Sequence, residues 1–331
     1  MNDVIVVTGG GGFIGHHLVK KLLLRSKVVV LDNFSRGSSS RLEGLSEDLI
    51  IEDCDITSYQ SISSCLKSYN VKVLYHLAAI NGTGNFYNIP IQIMDVGVLG
   101  CFNILKYSAE KNIEKIIIAS SAEVYQEAKI IPTPEDIPLI VPDVKNPRYS
   151  YALSKIYTEY YSFQFAVKHN LNVSVFRPHN VYGPDMGLQH VIPQFIMEFL
   201  KNSENDIAKI NVKGSLDSIR SFCYVEDIIN GLEILEKHNE KANVYNIGDT
   251  VKISMKELLN KISELTEQPY SLNKDIKNSH VGGAKLRCPD IKKIQSLGYN
   301  CQTSLDVGLK NTIIWYQDNF EKMSAIVNKT F

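Results

Sequence analysis

The chain has 331 residues, of which 44% are hydrophobic and 21% charged, and its formal net charge is −1. That balance belongs to a soluble globular protein of about two domains. It offers no basic excess for nucleic acid or an anionic membrane, and no apolar run nears the roughly 20 residues that cross a bilayer. The six cysteines form no CxxC pair and no histidine cluster stands beside them, so no metal site is expected. Reduced thiols and a first strand starting near Asp3 lead us to expect a cytoplasmic protein without a targeting segment.

Strand-like apolar runs alternate with helical segments from the start. Residues 4–10 (VIVVTGG) lead to a helix over 13–26, and 27–33 (KVVVLDN) to a polar loop. Residues 49–56 lead to a helix over 58–70, and 71–79 (VKVLYHLAA) to a long helix near 90–111. Residues 113–121 (IEKIIIASS) lead to a helix over 151–169, and 171–180 is a further strand. Short continuous apolar strands separated by helices predict an α/β fold of the Rossmann type, a doubly wound parallel sheet buried on both faces. Beyond Val181 the pattern loosens, with later helices near 225–238, 253–267 and 304–320. We therefore expect a dinucleotide-binding domain over 1–180, with a return near 222–246, and a smaller α/β substrate domain over 181–331 at the carboxyl end of the sheet.

The stretch VIVVTGGGGFIGHHL sets Gly9, Gly12 and Gly15 between strand and helix, with Phe13 and Ile14 opening the helix. Glycines at this spacing permit the tight turn, the approach of backbone to a pyrophosphate, and close helix–strand packing. The helix N-terminus then faces the phosphate charge. Asp32, with Asn33 after it, ends the next strand. Its carboxylate accepts from a ribose 2′-hydroxyl and repels a 2′-phosphate, which favours NAD, while Arg36 nearby keeps NADP open. Asp55 and Ile56 are placed to flank the adenine. Leu77, Ala78 and Ala79 are expected beside the nicotinamide path.

YALSK places Tyr151 and Lys155 four apart on one helix face. A phenol with a pKa of about 10 is a poor base at neutral pH. A lysine ammonium and an oxidised nicotinamide, both positive, favour its phenolate. A tyrosine–lysine pair also serves as an ordinary amphipathic face, so its company decides.

TGGGGFIG, Asp32, HLAA, SSAEVY and YALSK occur in that order, followed by RPHNVYGP (177–184), RSFCYVEDI (220–228), NIGD (246–249) and LRCPDIKKIQSLGY (286–299). Over nearly its whole length the chain resembles the extended short-chain dehydrogenase/reductase family, specifically its nucleotide-sugar epimerases and dehydratases. The resemblance implies bound NAD, transient oxidation of the sugar at C4, Tyr151 as base with Lys155, Ser121 as its hydrogen-bond partner, and a homodimer through a four-helix bundle. It also implies that Arg220 and Arg287 clamp the nucleotide diphosphate, with guanidinium forks suited to phosphate oxygens. Asn180 is expected at a diphosphate or sugar oxygen, and the segment around Val191 near the nucleobase.

Gly97 replaces the asparagine often found in the family's NVxGT-type stretch, and Thr83 or Asn85 in the unusual loop 80–90 is expected to replace that polar contact. Glu123 resembles the glutamate of the family's 4,6-dehydratases and decarboxylases. Once C4 is a ketone the C5 hydrogen is acidic, and a carboxylate over C5 can remove it. On this ground the sequence leans towards 4,6-dehydration over 4-epimerisation, with a decarboxylase, a net 4-reductase and a catalytically silent NAD sensor as alternatives.

Overall fold

The computed structural model describes residues 2–202, 207–212, 214–273 and 285–330, without the side chains of Asn2, Thr83 and residues 326–330. Strand β1 (Asn2–Thr8) carries valine and isoleucine on both faces. Val4 and Val6 enter one core and Ile5 and Val7 the other, the alternation of a strand covered on both sides. Helix α1 (Phe13–Leu22) follows, then β2 (Val28–Asp32), β3 (Leu49–Asp53), α2 (Tyr59–Leu66) and β4 (Tyr69–His76). A short helix α3 (Thr83–Asn88) runs into the long α4 (Pro90–Glu110). Then come β5 (Lys115–Ala119), α5 (Ser150–His169) and β6 (Val173–Pro178).

These strands form a seven-stranded sheet in the order Asn243–Ile247, β6, β5, β4, β1, β2, β3, with every pair parallel. One core joins the sheet to α2, α4 and α5 through residues such as Ile62, Ile104 and Ala166. The other joins it to α1 and α7 (Val225–Lys237) through Leu18, Leu22, Ile228 and Leu232. The connection from β1 runs outward to β2 and β3, whereas β4, β5 and β6 extend the other way. The switch point therefore lies at the carboxyl ends of β1 and β4, where a crevice opens.

The later residues form a third core around α6 (Val191–Lys201) and the helices Met255–Leu265 and Leu305–Asp318. The expected helices are thus present, and the strand Asn243–Ile247 belongs to the main sheet. No helix among the described residues is long and apolar enough to cross a membrane.

Candidate active site

The crevice at the switch point is a cleft of about 460 Å³ with a smaller annex of about 100 Å³. Its floor is the turn after β1. Gly9 has φ +73°, and a Cβ there would stand 2.8 Å from the Ala78 backbone. A Cβ at Gly15 would stand 2.1 Å from the Gly9 carbonyl oxygen. Both positions require glycine for contact, as the spacing predicts. Gly12 caps α1 with no side-chain partner and no acid in the first turn, so the helix N-terminus remains open to an anion. Thr8, at the end of β1, fixes the opposite wall. Its hydroxyl oxygen accepts from the Leu77 and Ala78 amides at 3.2 Å each and bonds His76 Nδ1 at 2.8 Å.

Asp32 accepts from the Gly11 amide at 2.9 Å and the Phe34 amide at 2.8 Å, and lines the annex. Asn33, Asp55, Ile56 and Ala78 line the annex with it. Asp55 also holds its own turn, accepting from the Thr57 amide and hydroxyl. Phe13, Ile14, Leu77 and Ala79 line the larger cleft. An acidic annex, a glycine turn with an open helix end and a small-residue wall, in that sequence, fit the adenosine, pyrophosphate and nicotinamide parts of a dinucleotide.

Tyr151 and Lys155 reach the same cleft from the first turns of α5, and Ser121 and Glu123 from the turn after β5. Ser121 accepts from the Glu123 amide at 3.1 Å, and its hydroxyl favours ionisation of the nearby Tyr151 phenol. Burial pushes the Tyr151 phenol up to about 12, and the Glu123 charge adds to this against Ser121 and Arg36. Burial pulls the Lys155 ammonium down to about 8. Its Nζ donates to the Ala119 carbonyl at 2.8 Å and lies 5.8 Å from the centre of the Tyr151 ring. Behind the turn after β5, Ser120 donates to Glu159 at 2.5 Å, and Arg177 grips that carboxylate at 2.8 and 2.6 Å. This buried pair anchors the strand ends that carry Ser121.

Glu123 is engaged by Arg287, which donates to both carboxylate oxygens. Burial opposes the charge of Glu123, but Arg287, with Arg148 and Arg220 farther off, holds its carboxyl below the usual carboxylate range. Burial likewise opposes the charge of Arg287, and Glu123 more than offsets it. Arg287 Nε, also buried, has no partner among the described residues.

Asn180 and Val191 line the cleft, with the Asn180 amide donating to the Ser221 carbonyl at 2.8 Å. Two expected substrate residues stand apart from this group. Arg220 is outside the cleft lining, donates to the Ile219 carbonyl at 2.7 Å, and is pulled down to about 10 by burial and the nearby Arg287 charge. Asn85 spends its amide on the Asn81 carbonyl at 2.8 Å and is also outside the lining. The side chain of Thr83 lies outside the described residues.

The Asn85 amide is thus engaged within its own loop. A Cβ at Gly97 would be 2.7 Å from Ser154 Cβ, so the glycine there lets α4 meet α5 closely. Phe86, not among the residues expected at the site, stacks on Tyr151 at 5.5 Å and 11° and packs in one apolar cluster with Ile80 and Ile93. The apolar residue in a polar loop was its only signal. Arg41, also missed, pairs with Asp185 through two bonds of 2.9 Å and donates to the Gly11 carbonyl at 3.1 Å.

This fold and site define a dinucleotide-dependent enzyme of the short-chain dehydrogenase/reductase type. The model of the NAD dependent epimerase/dehydratase family matches residues 5–248, and the chain belongs to that family. It is similar to a UDP-N-acetyl-alpha-D-glucosaminuronate decarboxylase of Bacillus cytotoxicus, 30% identical over 95% of this chain and 97% of that protein. It is also similar to a UDP-glucuronate 4-epimerase of Thermodesulfobacterium geofontis, 27% identical over 97% and 98%. Among solved structures, UDP-glucose 4-epimerase of Thermotoga maritima with UDP-glucose superposes with a TM-score of 0.83 at 26% identity, covering 96% of this chain and 99% of that one.

Proposed function

We propose that the chain is an NAD-dependent nucleotide-sugar 4-epimerase, working through a transient C4 ketone. The observation that carries this reading is the division of labour around the cleft: Tyr151, Ser121 and Lys155 converge on it, while Glu123 is tied to Arg287. The chemistry that NAD supplies when bound is reversible two-electron oxidation at the sugar's C4. Gly9, Gly12, Gly15 and Asp32 hold the cofactor, with Asp55, Ile56 and the 77–79 wall beside it. Tyr151 takes the proton of the C4 hydroxyl as the C–H bond is oxidised, and returns it on reduction. Ser121 orients that hydroxyl. Lys155 stabilises the phenolate. Residues 181–331, apart from the return near 222–246, supply the nucleotide-sugar half, with Val191 at the ligand beside Asn180.

Dehydration needs a base at C5 and a proton for the hydroxyl leaving C6. A carboxylate held ionised by a guanidinium is a weak base and has no proton to give, so the ion pair favours epimerisation over the dehydration suggested by Glu123 alone. The partnerless Arg287 Nε supports a second reading. A substrate diphosphate that engages Arg287 releases Glu123 for C5 chemistry. UDP-sugars are the first substrates to test, since the names of the relatives specify them. Turnover in heavy water separates the readings. Epimerisation gives a product of unchanged mass without solvent deuterium. Loss of water with deuterium on the sugar would discard the 4-epimerase reading.

We further propose a homodimer through α4 and α5. Their outer faces expose Leu99, Phe102, Leu153 and Tyr160, and burying such side chains removes apolar area from water. Sedimentation at micromolar concentration should give twice the mass of the chain, and Leu99→Asp should give the monomer. A monomeric wild type would refute the assembly.

A further inference from the structure

Four cationic side chains line the larger cleft: Arg36, Arg41, Lys155 and Arg287. Three are occupied. Arg41 holds Asp185, Arg287 holds Glu123, and Lys155 donates to the Ala119 carbonyl. Arg36 has neither a hydrogen bond nor an acidic partner among the described residues. It is open to solvent at the cleft, yet its surroundings are poor enough in water to pull its guanidinium below the usual arginine range, against the Tyr151 interaction. An unpaired cation at a binding cleft is a charge waiting for an anion.

The position of Arg36 specifies which anion. The next residue, Gly37, packs so closely on the glycine turn that a Cβ there would lie 2.7 Å from the Gly11 carbonyl carbon. The backbone of Arg36 therefore starts beside the turn where a pyrophosphate lies. Its guanidinium ends at Gly82: a Cβ on Gly82 would be 3.3 Å from Arg36 Nη1 and 2.4 Å from Gln189 Oε1. Gly82 has φ +107°, a conformation suited to glycine. Three remote segments thus meet there, from the loop after β2, the loop after β4, and the substrate half. Arg36 also lines the annex, so one side chain spans the adenosine and nicotinamide ends of the dinucleotide path.

We propose that Arg36 is a cofactor clasp: its guanidinium binds the pyrophosphate of the dinucleotide and holds it against the loop at Asn81–Gly82. This inference rests on the cofactor reading above and deepens it. A planar fork with several donors suits two phosphate oxygens at once, and a lysine matches only the charge. Two other anions compete for the role. A 2′-phosphate would meet the Asp32 carboxylate in the annex, where it is repelled. A carboxylate on the sugar would make Arg36 a substrate residue and leave cofactor affinity unchanged.

The test compares wild type with Arg36→Met and Arg36→Lys. NAD retained through gel filtration is quantified, and dissociation constants for NAD, NADP and UDP are measured by calorimetry. Arg36 is exposed, so neither substitution threatens folding. A hydrogen bond to a charged group contributes enough for Arg36→Met to weaken NAD binding about tenfold or more. Arg36→Lys should fall between, and UDP affinity should stay within about twofold. Unchanged NAD affinity in Arg36→Met overturns the clasp. A loss confined to NADP, or to UDP, overturns it as well. A wild type that binds neither dinucleotide would instead overturn the cofactor reading on which the clasp depends.

Discussion

Tyr151 is the base of the proposed reaction, yet burial holds its phenol at about 12. At pH 8 that leaves about one molecule in 10,000 as phenolate. Bringing the pKa down to about 8 takes four pKa units, or about 5 kcal/mol of preference for the charged form. Lys155 Nζ lies 5.8 Å from the ring centre. At an effective dielectric of about 20, a unit charge at that distance contributes about 3 kcal/mol; Lys155, with its own pKa at about 8, is about half protonated at pH 8 and supplies about half of that. A positive nicotinamide at similar range contributes about 3 kcal/mol, so the two cations together provide most of the shift and neither alone does. Tyrosinate difference absorbance, recorded as NAD is added at pH 8, should show ionisation of part of one tyrosine. The signal should vanish in Tyr151→Phe and fall steeply in Lys155→Met. Turnover should drop about 100-fold or more in Tyr151→Phe, the usual contribution of a general base. If NAD produced the same absorbance change in Tyr151→Phe as in wild type, or that variant kept more than about a tenth of the rate, the assignment of the base would fall.

Glu123→Gln should keep turnover within about tenfold and place no solvent deuterium on the product, while unfolding by urea should show a loss of about 2–3 kcal/mol, because removing one member of a largely buried pair strands the other; a folded but inactive variant would restore the C5-base reading. Asp32→Ala should weaken NAD about tenfold or more and narrow the gap to NADP, since the Gly11 and Phe34 amides lose their acceptor along with the ribose; calorimetry showing unchanged NAD affinity would contradict this. Lys155 has a folded pKa of about 8, below its unfolded value of about 10.4. Between those values the unfolded chain binds more protons, so stability should rise with pH from about 8 to 10.4 by about 3 kcal/mol. Urea midpoints should rise more steeply in wild type than in Lys155→Met, where Lys115, also pulled down to about 8 by burial, still contributes.

The glycine turn, Asp32 and the HLAA wall were legible in the sequence because each is set by a few adjacent residues at a strand end. Continuous apolar runs likewise announced a sheet covered on both faces, and Val4, Val6, Ile5 and Val7 divide between two cores accordingly. The Glu123–Arg287 pair joins positions 164 apart, and no local pattern carries such a contact. It changes the chemistry expected of Glu123, from a free base to a bound anion. Gly97 misled for a related reason. Its meaning lies in the approach of Ser154 across a helix crossing, whereas comparison with the family's asparagine suggested a lost polar contact. Phe86 and Arg36 belong to loops whose place over the cleft is set by tertiary packing.

A substrate carrying deuterium at C4 of the hexose, turned over with a catalytic amount of NAD, tests the central claim most directly. A UDP-sugar so labelled should yield the C4 epimer with deuterium still at C4, and the cofactor should not be consumed. Loss of the label to bulk water, or consumption of one cofactor per product, would contradict a transient ketone formed and reduced at C4 within one site.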